Sequence, residues 1–377
     1  MSNYLIVGAG FAGAVTGRCL AEAGHHVKII ERRQHLGGNA FDFLNEHQER
    51  IHAYGPHLLH GEKDSVAIKW LSRFTDWVPY EHRVRALLEG GKTTPLPVNL
   101  TTIEDIFGLG FGSEEEAKKF MAEKVKKLVP QNTDEVFLSS VGEELADIFF
   151  RPYTRKMWGT SPTNLEAAVG ARIPMRYNRD DRYFSDEFQA LPKDGYTKLF
   201  ERIFDHPLIK VSLGTHFEDC LSAHHEHVFN SMAIDEYYQF RYGKLPYRSI
   251  RFKTTAKPDS QAAPVINFTD DKKYTRSTQW DLLPNSESRQ DELHTTTIEE
   301  PCDPEENNNE CYYPVRNEAS LNLYDRYKAL ADKNDKLTFI GRTGLFRYLD
   351  MVPCVSIHLQ IASKFLQTEA SAQEKNA

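Results

Sequence analysis

Both ends of the chain show apolar stretches with the spacing of strands and helices in alternation. Near the start, YLIV is an apolar strand that breaks into a glycine turn, and FAGAVTGRCLAEAGH continues as a helix closed by Gly24. HVKIIE is the next strand, and near the other end KLTFIG predicts a strand and PCVSIHLQIASKFLQ a helix. Alternating strands and helices imply a parallel sheet, so we predict one α/β domain assembled from both chain ends.

The middle of the chain has two other patterns. SEEEAKKFMAEKVKKLV and VFLSSVGEELADIFF have helical periodicity, whereas SIRFKT and APVINFT are short β-like runs. We therefore expect a helical insertion and an antiparallel β-sheet domain on top of the α/β domain. The predicted boundaries are 1–62, 190–220 and 312–377 for the α/β domain, 63–163 for the helical domain, and 177–189 with 221–311 for the sheet domain.

The first glycine cluster has the GxGxxG spacing and lies between a predicted strand and helix. Gly8 permits the tight turn, Gly10 lets the backbone approach a pyrophosphate, and Gly13 lets the helix pack closely on the strand. The helix N-terminus offers free N–H groups to phosphates. Glu31 ends the second strand, where a carboxylate accepts hydrogen bonds from ribose hydroxyls and repels a 2′-phosphate. The pattern predicts a Rossmann-like dinucleotide site and disfavours NADP.

Two further stretches favour FAD over NAD. ERRQHLGGNAF carries the paired glycines Gly37 and Gly38 soon after the ribose-binding acid, which is common where the chain continues along an extended FAD. GRTGLFRYLDM puts Arg342 and Asp350 between a strand and a helix, so that backbone amides there face the flavin pyrimidine. Such a positive helix end stabilises an anionic reduced flavin.

A second glycine cluster, IFGLGFGSEEE, does not have the fingerprint spacing, and no apolar strand precedes it. Acidic residues follow at once, and they would repel a pyrophosphate. Ser113 followed by Glu116 is instead a helix-capping pattern. We predict a loop that enters a helix, so the chain has one dinucleotide site and no separate nicotinamide domain.

Composition excludes several classes of protein. The formal net charge of −8 gives no support to nucleic acid as a partner, because phosphate backbones bind basic surfaces. Five cysteines without paired spacing indicate reduced thiols and no zinc site. No apolar run approaches membrane-spanning length, and no basic segment precedes the first strand. We expect a cytoplasmic protein with no membrane span and no bound metal.

Aromatic and cationic residues are interleaved in FFRPYTRKMWGTSP and in GARIPMRYNRDDRYF. Arginine side chains hold phosphate oxygens bidentately, tyrosine hydroxyls add neutral donors, and aromatic faces stack on a pyrimidine. This set of side chains suits a nucleoside diphosphate that is linked to a sugar.

The chain resembles the bacterial UDP-galactopyranose mutases over nearly its whole length. The motifs that carry the resemblance are, in chain order, GAGFAGAV, GGNAFD, YGPHLLH, YTRKMWG, RIPMRYN, YFSDEFQALPKDGYTKL, YTR, YYPVR and GR…FRYLDM. The resemblance implies an isomerase that interconverts the pyranose and furanose forms of a nucleotide-bound hexose. It also implies that N5 of reduced FAD attacks the anomeric carbon, without net oxidation, in a homodimer whose product enters a polysaccharide such as O-antigen.

The resemblance also implies the site residues. Arg172, on a mobile loop over 164–176, and Arg276 would hold the diphosphate, and with His60 they are the expected catalytic residues. The HxxH pair of His57 and His60 has no third ligand in view, so a metal is not expected. The expected substrate contacts are Phe149, Phe150, Tyr153, Trp158, Arg172, Tyr183, Arg276, Tyr313, Tyr348 and His82. The expected cofactor contacts are Gly8, Gly10, Phe11, Ala12, Gly13, Glu31, Arg32, Gly38, Asn39, His57, Arg342, Tyr348, Asp350 and Met351.

The match is weaker around the sugar. His82 in YEHRV replaces a common Asn, and Lys272 with Lys273 replaces a usual Val-Pro. UDP-galactopyranose is therefore the first candidate substrate and dTDP-fucopyranose the second. An FAD-dependent amine oxidase-like oxidoreductase and a flavin-binding module without catalysis are more distant alternatives.

Overall fold

The computed structural model describes residues 1–171, 175–220, 224–286 and 293–376, with side chains to residue 371. Its strands are β1 Asn3–Val7, β2 His26–Glu31, β3 Asp42–Leu44, β4 Arg50–His52, β5 Leu59–Gly61, β6 Trp77–Pro79, β7 Val84–Leu87, β8 Thr93–Leu96, β9 Phe188–Pro192, β10 Ile209–Leu213, β11 His227–Asn230, β12 Tyr247–Lys257, β13 Val265–Phe268, β14 Arg276–Gln279, β15 His294–Cys302, β16 Tyr313–Pro314 and β17 Leu337–Phe339.

The helices alternate with these strands at both ends and cluster in the first half of the chain. They are α1 Phe11–Glu22, α2 Val66–Leu71, α3 Leu100–Phe107, α4 Glu114–Lys124, α5 Thr133–Ser140, α6 Gly142–Leu145, α7 Arg151–Trp158, α8 Ala167–Gly170, α9 Tyr196–Phe204, α10 Ile234–Tyr237, α11 Glu318–Ala331, α12 Gly341–Gly344 and α13 Met351–Asn376. A π-helical turn, Ala146–Phe150, connects α6 to α7.

A parallel sheet in the order β10-β2-β1-β11-β17 forms the α/β domain. Tyr4, Leu5 and Ile6 of β1 are fully buried because elements cover both faces of the sheet, and α1 packs against α13 on one of them. The register pairs Val7 with Ile30. The glycine turn after β1 therefore lies beside Glu31 at the end of β2. The predicted α/β fold built from both chain ends is confirmed.

The second large sheet has the order β16-β12-β15-β14-β13-β7-β8. Among its described strands the β13–β7 pair is parallel and the other pairs are antiparallel, so the sheet is mixed. Its register places Arg276 of β14 between Asn267 of β13 and Glu299 of β15. A third, smaller sheet, β5-β9-β6, connects this region to the α/β domain.

Some of the predicted domain assignments are wrong. Residues 313–314 were expected in the α/β domain, but β16 pairs with β12 in the mixed sheet. Residues 227–230 were expected in the antiparallel sheet, but β11 lies between β1 and β17 in the parallel one. A four-residue strand has too few positions for its sequence to show which sheet it joins. Residues 84–87 and 93–96 were expected in the helical domain, but they form the β7–β8 hairpin of the mixed sheet. Its turn contains Gly90 and Gly91, both at positive φ, a hairpin signal in the sequence.

The second glycine cluster is a loop that enters a helix, as predicted, and it also follows a helix. Gly108 has φ 63° and ends α3, and its N–H donates to the carbonyl oxygen of Glu104. Ser113 begins α4, and its hydroxyl accepts from the N–H of Glu116. The cluster is therefore a helix C-cap followed by a helix N-cap.

Candidate functional site

Two cavities adjoin, and the first lies at the carboxyl ends of the parallel strands β1, β2 and β11. The first, of about 370 Å³, surrounds the glycine turn after β1. The second, of about 470 Å³, lies between the π-helical turn, the mixed sheet and the start of α13. His57, Arg342 and Met351 line both cavities. A molecule that fills the first cavity therefore meets a molecule in the second at these three residues.

The glycine turn has a backbone conformation and a close packing that require glycine. Gly8 has φ 103°, and its N–H donates to the carbonyl oxygen of Ile30 at 2.8 Å. A Cβ at Gly13 would lie 1.9 Å from the carbonyl oxygen of Gly8, so only glycine lets α1 pack against β1. Gly10 precedes α1, and no side chain of the described residues caps this helix. Its first N–H groups therefore face the cavity as donors.

Glu31 lines the first cavity and is held by backbone N–H groups. Its Oε2 accepts from the N–H of Ala9 at 2.9 Å and its Oε1 accepts from the N–H of Arg33 at 3.0 Å. Arg33 also donates to Oδ1 of Asn39 at 2.9 Å. These bonds fix the carboxylate between the turn and β2. The first cavity thus has the phosphate turn and the sugar acceptor of a dinucleotide site.

Arg276 is a cation of the second cavity, and a buried carboxylate holds it. Its Nε donates to Oε2 of Glu299 at 2.7 Å, and Glu299 is 1% exposed. Burial acts to lower the pKa of Arg276, but the carboxylate of Glu299 holds this pKa well above its usual value. Burial raises the pKa of Glu299, and the guanidinium opposes this. The pair keeps Arg276 charged and in a fixed orientation, and sequence reasoning did not find Glu299.

Aromatic rings line the rest of the second cavity. Tyr313 and Tyr348 stack with centroids 5.8 Å apart, and the guanidinium of Arg342 lies 4.9 Å and 5.0 Å from their centroids. Phe149 and Phe150 come from the π-helical turn. Burial raises the pKa of Tyr153 to about 12, so its hydroxyl stays protonated as a donor. This wall offers faces for a base and hydroxyls for phosphate oxygens.

Three histidines, His57, His60 and His82, line the second cavity, and their environments differ. Burial lowers the pKa of His57 and of His82 to about 3, so both are neutral near pH 7. His60 instead has a carboxylate partner, because its Nδ1 lies 2.8 Å from Oδ2 of Asp186. Its ring stacks on Phe184 at 3.6 Å with an interplanar angle of 11°. Sequence reasoning did not single out Asp186 or Phe184, although both lie in the motif YFSDEFQ.

The expected site residues fall into the two cavities, with a few differences. Arg172 lies outside the described residues. Tyr348 and Asp350, expected as cofactor contacts, line the second cavity and not the first. The expected cofactor residues at the first cavity are Gly8, Gly10, Phe11, Ala12, Gly13, Glu31, Arg32, Gly38, Asn39, His57, Arg342 and Met351. The other expected residues at the second are His60, His82, Phe149, Phe150, Tyr153, Trp158, Tyr183, Arg276 and Tyr313.

Asn267 is a further residue that sequence reasoning missed. It lines the second cavity beside Arg276 and is 8% exposed, and its Oδ1 has no hydrogen-bond partner in the described part of the chain. A buried acceptor of this kind is costly unless a ligand satisfies it. Among residues 1–171, 175–220, 224–286 and 293–376, His, Cys, Asp and Glu side chains form no group of three or more that suits a metal ion.

Over the same described ranges, each helix is too short or too polar to cross a bilayer.

Comparison with known proteins agrees with this geometry. A family model for UDP-galactopyranose mutase matches residues 148–348, and a model for an NAD(P)-binding Rossmann-like domain matches residues 6–74. A probable UDP-galactopyranose mutase of Klebsiella pneumoniae is 37% identical over 99% of this chain and 97% of its own length. A dTDP-fucopyranose mutase of Escherichia coli is 36% identical over 97% of this chain and 99% of its own.

Among solved structures, the crystal structure of a reduced UDP-galactopyranose mutase matches with a TM-score of 0.75. It covers 98% of this chain and 96% of its own at 17% identity. At that level of identity the match shows a shared fold.

Proposed function

The chain belongs to the UDP-galactopyranose mutase family, and we propose that it interconverts the pyranose and furanose forms of a nucleoside diphosphate hexose with reduced FAD. The observation that carries this proposal is the junction of the two cavities at His57, Arg342 and Met351. A flavin that extends from the glycine turn and a sugar in the second cavity meet there. The family consists of isomerases, which agrees with the single dinucleotide fingerprint of the chain.

The first cavity fits FAD as the cofactor. The turn that only glycine can form, the uncapped start of α1 and the carboxylate of Glu31 suit the adenosine diphosphate half. Arg342 and Met351 lie where the cavity passes to the sugar site. When it is bound and reduced, the flavin supplies a nucleophilic nitrogen, N5, for the anomeric carbon.

The residues of the second cavity would bind the nucleotide and its diphosphate. Arg276, held by Glu299, is placed to neutralise the charge on the leaving diphosphate and to keep it close for its return. Tyr313 and Tyr348 would add hydroxyl donors, and Phe149 would pack on the base. Arg172 would be the second cation, a role that rests on its motif alone.

Two hexoses are candidates. UDP-galactopyranose is the first, and dTDP-fucopyranose is the second because neutral, buried His82 replaces a common Asn beside the sugar. The identities to the two kinds of relative, 37% and 36%, do not separate them. Family membership also supports a cytoplasmic homodimer whose furanose product enters a cell-surface polysaccharide such as O-antigen.

The test incubates dithionite-reduced protein and, in parallel, oxidised protein with UDP-galactofuranose or with dTDP-fucofuranose. Formation of the pyranose is followed by chromatography. Only the reduced protein should form pyranose, and Arg276→Ala should lose activity. Lys257→Ala is the matched control, because this cation is exposed at the end of β12 in the same sheet. Turnover by the oxidised protein with consumption of oxygen would favour the amine oxidase-like alternative. No turnover of either sugar by reduced protein that contains FAD would refute the proposal.

A further inference from the structure

His60 is held from two sides by one short segment of the chain. Asp186 accepts a hydrogen bond from its Nδ1 at 2.8 Å, and Phe184 stacks on its ring. The side chain of Gln189 fixes this segment, because its Nε2 donates to the carbonyl oxygens of Phe184 at 3.2 Å and Asp186 at 3.0 Å. Gln189 is itself paired with His60 across β5 and β9. The imidazole therefore has a fixed position at the edge of the second cavity.

The carboxylate also fixes the tautomer of the imidazole. An ionised carboxylate only accepts hydrogen bonds, so the proton of neutral His60 is on Nδ1. The lone pair of the neutral ring is then on Nε2, for which no hydrogen bond is found among the described residues. In the imidazolium form both nitrogens carry protons, and Nδ1 keeps its hydrogen bond to Asp186. His60 can therefore donate and accept a proton at the same atom, Nε2.

The other two histidines of the site lack this property. His57 directs Nδ1 to the carbonyl oxygen of Gly55 at 2.8 Å, and His82 has Nδ1 at 3.3 Å from the hydroxyl of Tyr80. Neither group is a carboxylate, and burial keeps both histidines neutral near pH 7. Of the histidines that line the second cavity in the described part of the chain, His60 is the one with an acidic partner.

The proposed reaction requires a proton to move between two sugar oxygens. The C5 oxygen closes the pyranose ring and the C4 oxygen closes the furanose ring, in galactose and in 6-deoxygalactose alike. When one ring opens, the bond from C1 to its ring oxygen breaks and that oxygen gains a proton. When the other ring closes, the second hydroxyl loses a proton as its oxygen bonds to C1. The sum is one proton transferred and none consumed.

We propose that Nε2 of His60 carries this proton and that Asp186 is the positioning residue that fixes the tautomer of His60. The imidazolium donates from Nε2 to the ring oxygen that leaves C1. Neutral Nε2 then accepts the proton of the hydroxyl that closes the new ring, which restores the imidazolium. This role rests on the proposed mutase function and applies to either hexose.

The test compares reduced, FAD-containing wild type with His60→Ala and Asp186→Asn, using the furanose that wild type converts. Loss of a general acid–base group should lower kcat of His60→Ala by about 100-fold or more, with KM changed less than about threefold. Added imidazole should restore at least about a tenth of the lost rate, which a merely structural histidine would not allow. Asp186→Asn should lower kcat by about tenfold, because the amide can hold the wrong tautomer.

Glu187→Gln is the matched control, because this neighbouring acid is exposed and pairs with Lys63 at the surface. It should keep the wild-type kcat. Absorbance should show equal FAD content in all variants, and titration should show equal affinity for UDP. Nitrogen NMR of labelled histidine should place the proton of neutral His60 on Nδ1 in wild type. In Asp186→Asn the neutral ring should be a mixture of the Nδ1 and Nε2 tautomers.

Four outcomes would overturn the inference. They are an unchanged kcat in His60→Ala, no rescue by imidazole, a loss explained by lost FAD, and a wild-type His60 with the proton of its neutral form on Nε2. Inactivity of the wild type towards both sugars is a different result, because it removes the mutase function and this role together.

Discussion

We expect the buried pair of Arg276 and Glu299 to contribute strongly to the free energy of unfolding. Glu299→Gln keeps the shape of the side chain and removes its charge, which leaves the guanidinium without a counter-ion. Removal of one partner from a buried pair costs about 3 to 5 kcal/mol. The side chain of Arg276 is 26% exposed, so water offsets part of this cost. We expect Glu299→Gln to lower the free energy of unfolding by about 2 to 3 kcal/mol.

Arg276→Ala should cost less stability than Glu299→Gln. Burial already raises the pKa of Glu299, so its carboxyl can take up a proton once the guanidinium is gone. The double variant has no buried charge at this position, and its loss should be smaller than the sum of the two single losses. A coupling energy of about 1 to 2 kcal/mol is expected.

Urea unfolding of the FAD-containing proteins, followed by far-UV circular dichroism at pH 7, measures the free energy of unfolding. The set is wild type, the two single variants and the double variant. In the same set, the loss of a charged hydrogen bond should weaken UDP binding to Arg276→Ala by about 10- to 100-fold. Lys257→Ala, which removes an exposed cation from the end of β12 in the same sheet, should match wild type in both assays. If the loss of stability in the double variant equals the sum of the two single losses within about 0.5 kcal/mol, the claim that the two side chains form one charged pair is refuted.

Three further predictions concern the cofactor site and the core. Gly13→Ala should purify without FAD, since its Cβ would lie 1.9 Å from the carbonyl oxygen of Gly8; normal flavin absorbance would contradict the glycine argument. Burial lowers the pKa of His52 and His57 to about 3. The free energy of unfolding should therefore have its full value above about pH 6.5 and fall by up to about 1.4 kcal/mol per histidine per pH unit below that pH. Urea midpoints that do not change between pH 7 and 5 would refute this. Asp42→Ala should destabilise the protein by about 1 to 3 kcal/mol in urea, because the buried carboxylate accepts from the first N–H groups of α9 at 2.7 Å and 2.8 Å; a loss below about 0.5 kcal/mol would contradict its capping role.

The sequence was most informative where function depends on local geometry. Gly8 and Gly10 form the turn before α1 and Gly13 lies in its first turn, so the glycine spacing together with the apolar run before it predicted the strand, the turn and the start of α1. The same local reasoning separated the second glycine cluster from the first, because Ser113 and Glu116 form a capping contact within one helical turn. Such signals involve neighbours in the chain, and tertiary packing seldom overrides them.

Contacts between distant residues could not be predicted in this way. Asp186 meets His60 across 126 positions, and nothing in either local stretch specifies the pairing. Glu299 meets Arg276 only through the register of β14 and β15. The strand His227–Asn230 was assigned to the wrong sheet for the same reason, since its partners β1 and β17 are far away in the chain.

The central claim is that a flavin and a nucleotide sugar occupy adjoining cavities and touch at the junction. A crystal structure of the protein with FAD, reduced in the crystal and soaked with the sugar nucleotide it converts, tests this most directly. We predict the isoalloxazine beside His57 and Met351, the diphosphate on Arg276, and the sugar ring in van der Waals contact with the flavin. A sugar nucleotide bound away from the second cavity, or a sugar separated from the flavin by protein, would contradict the account.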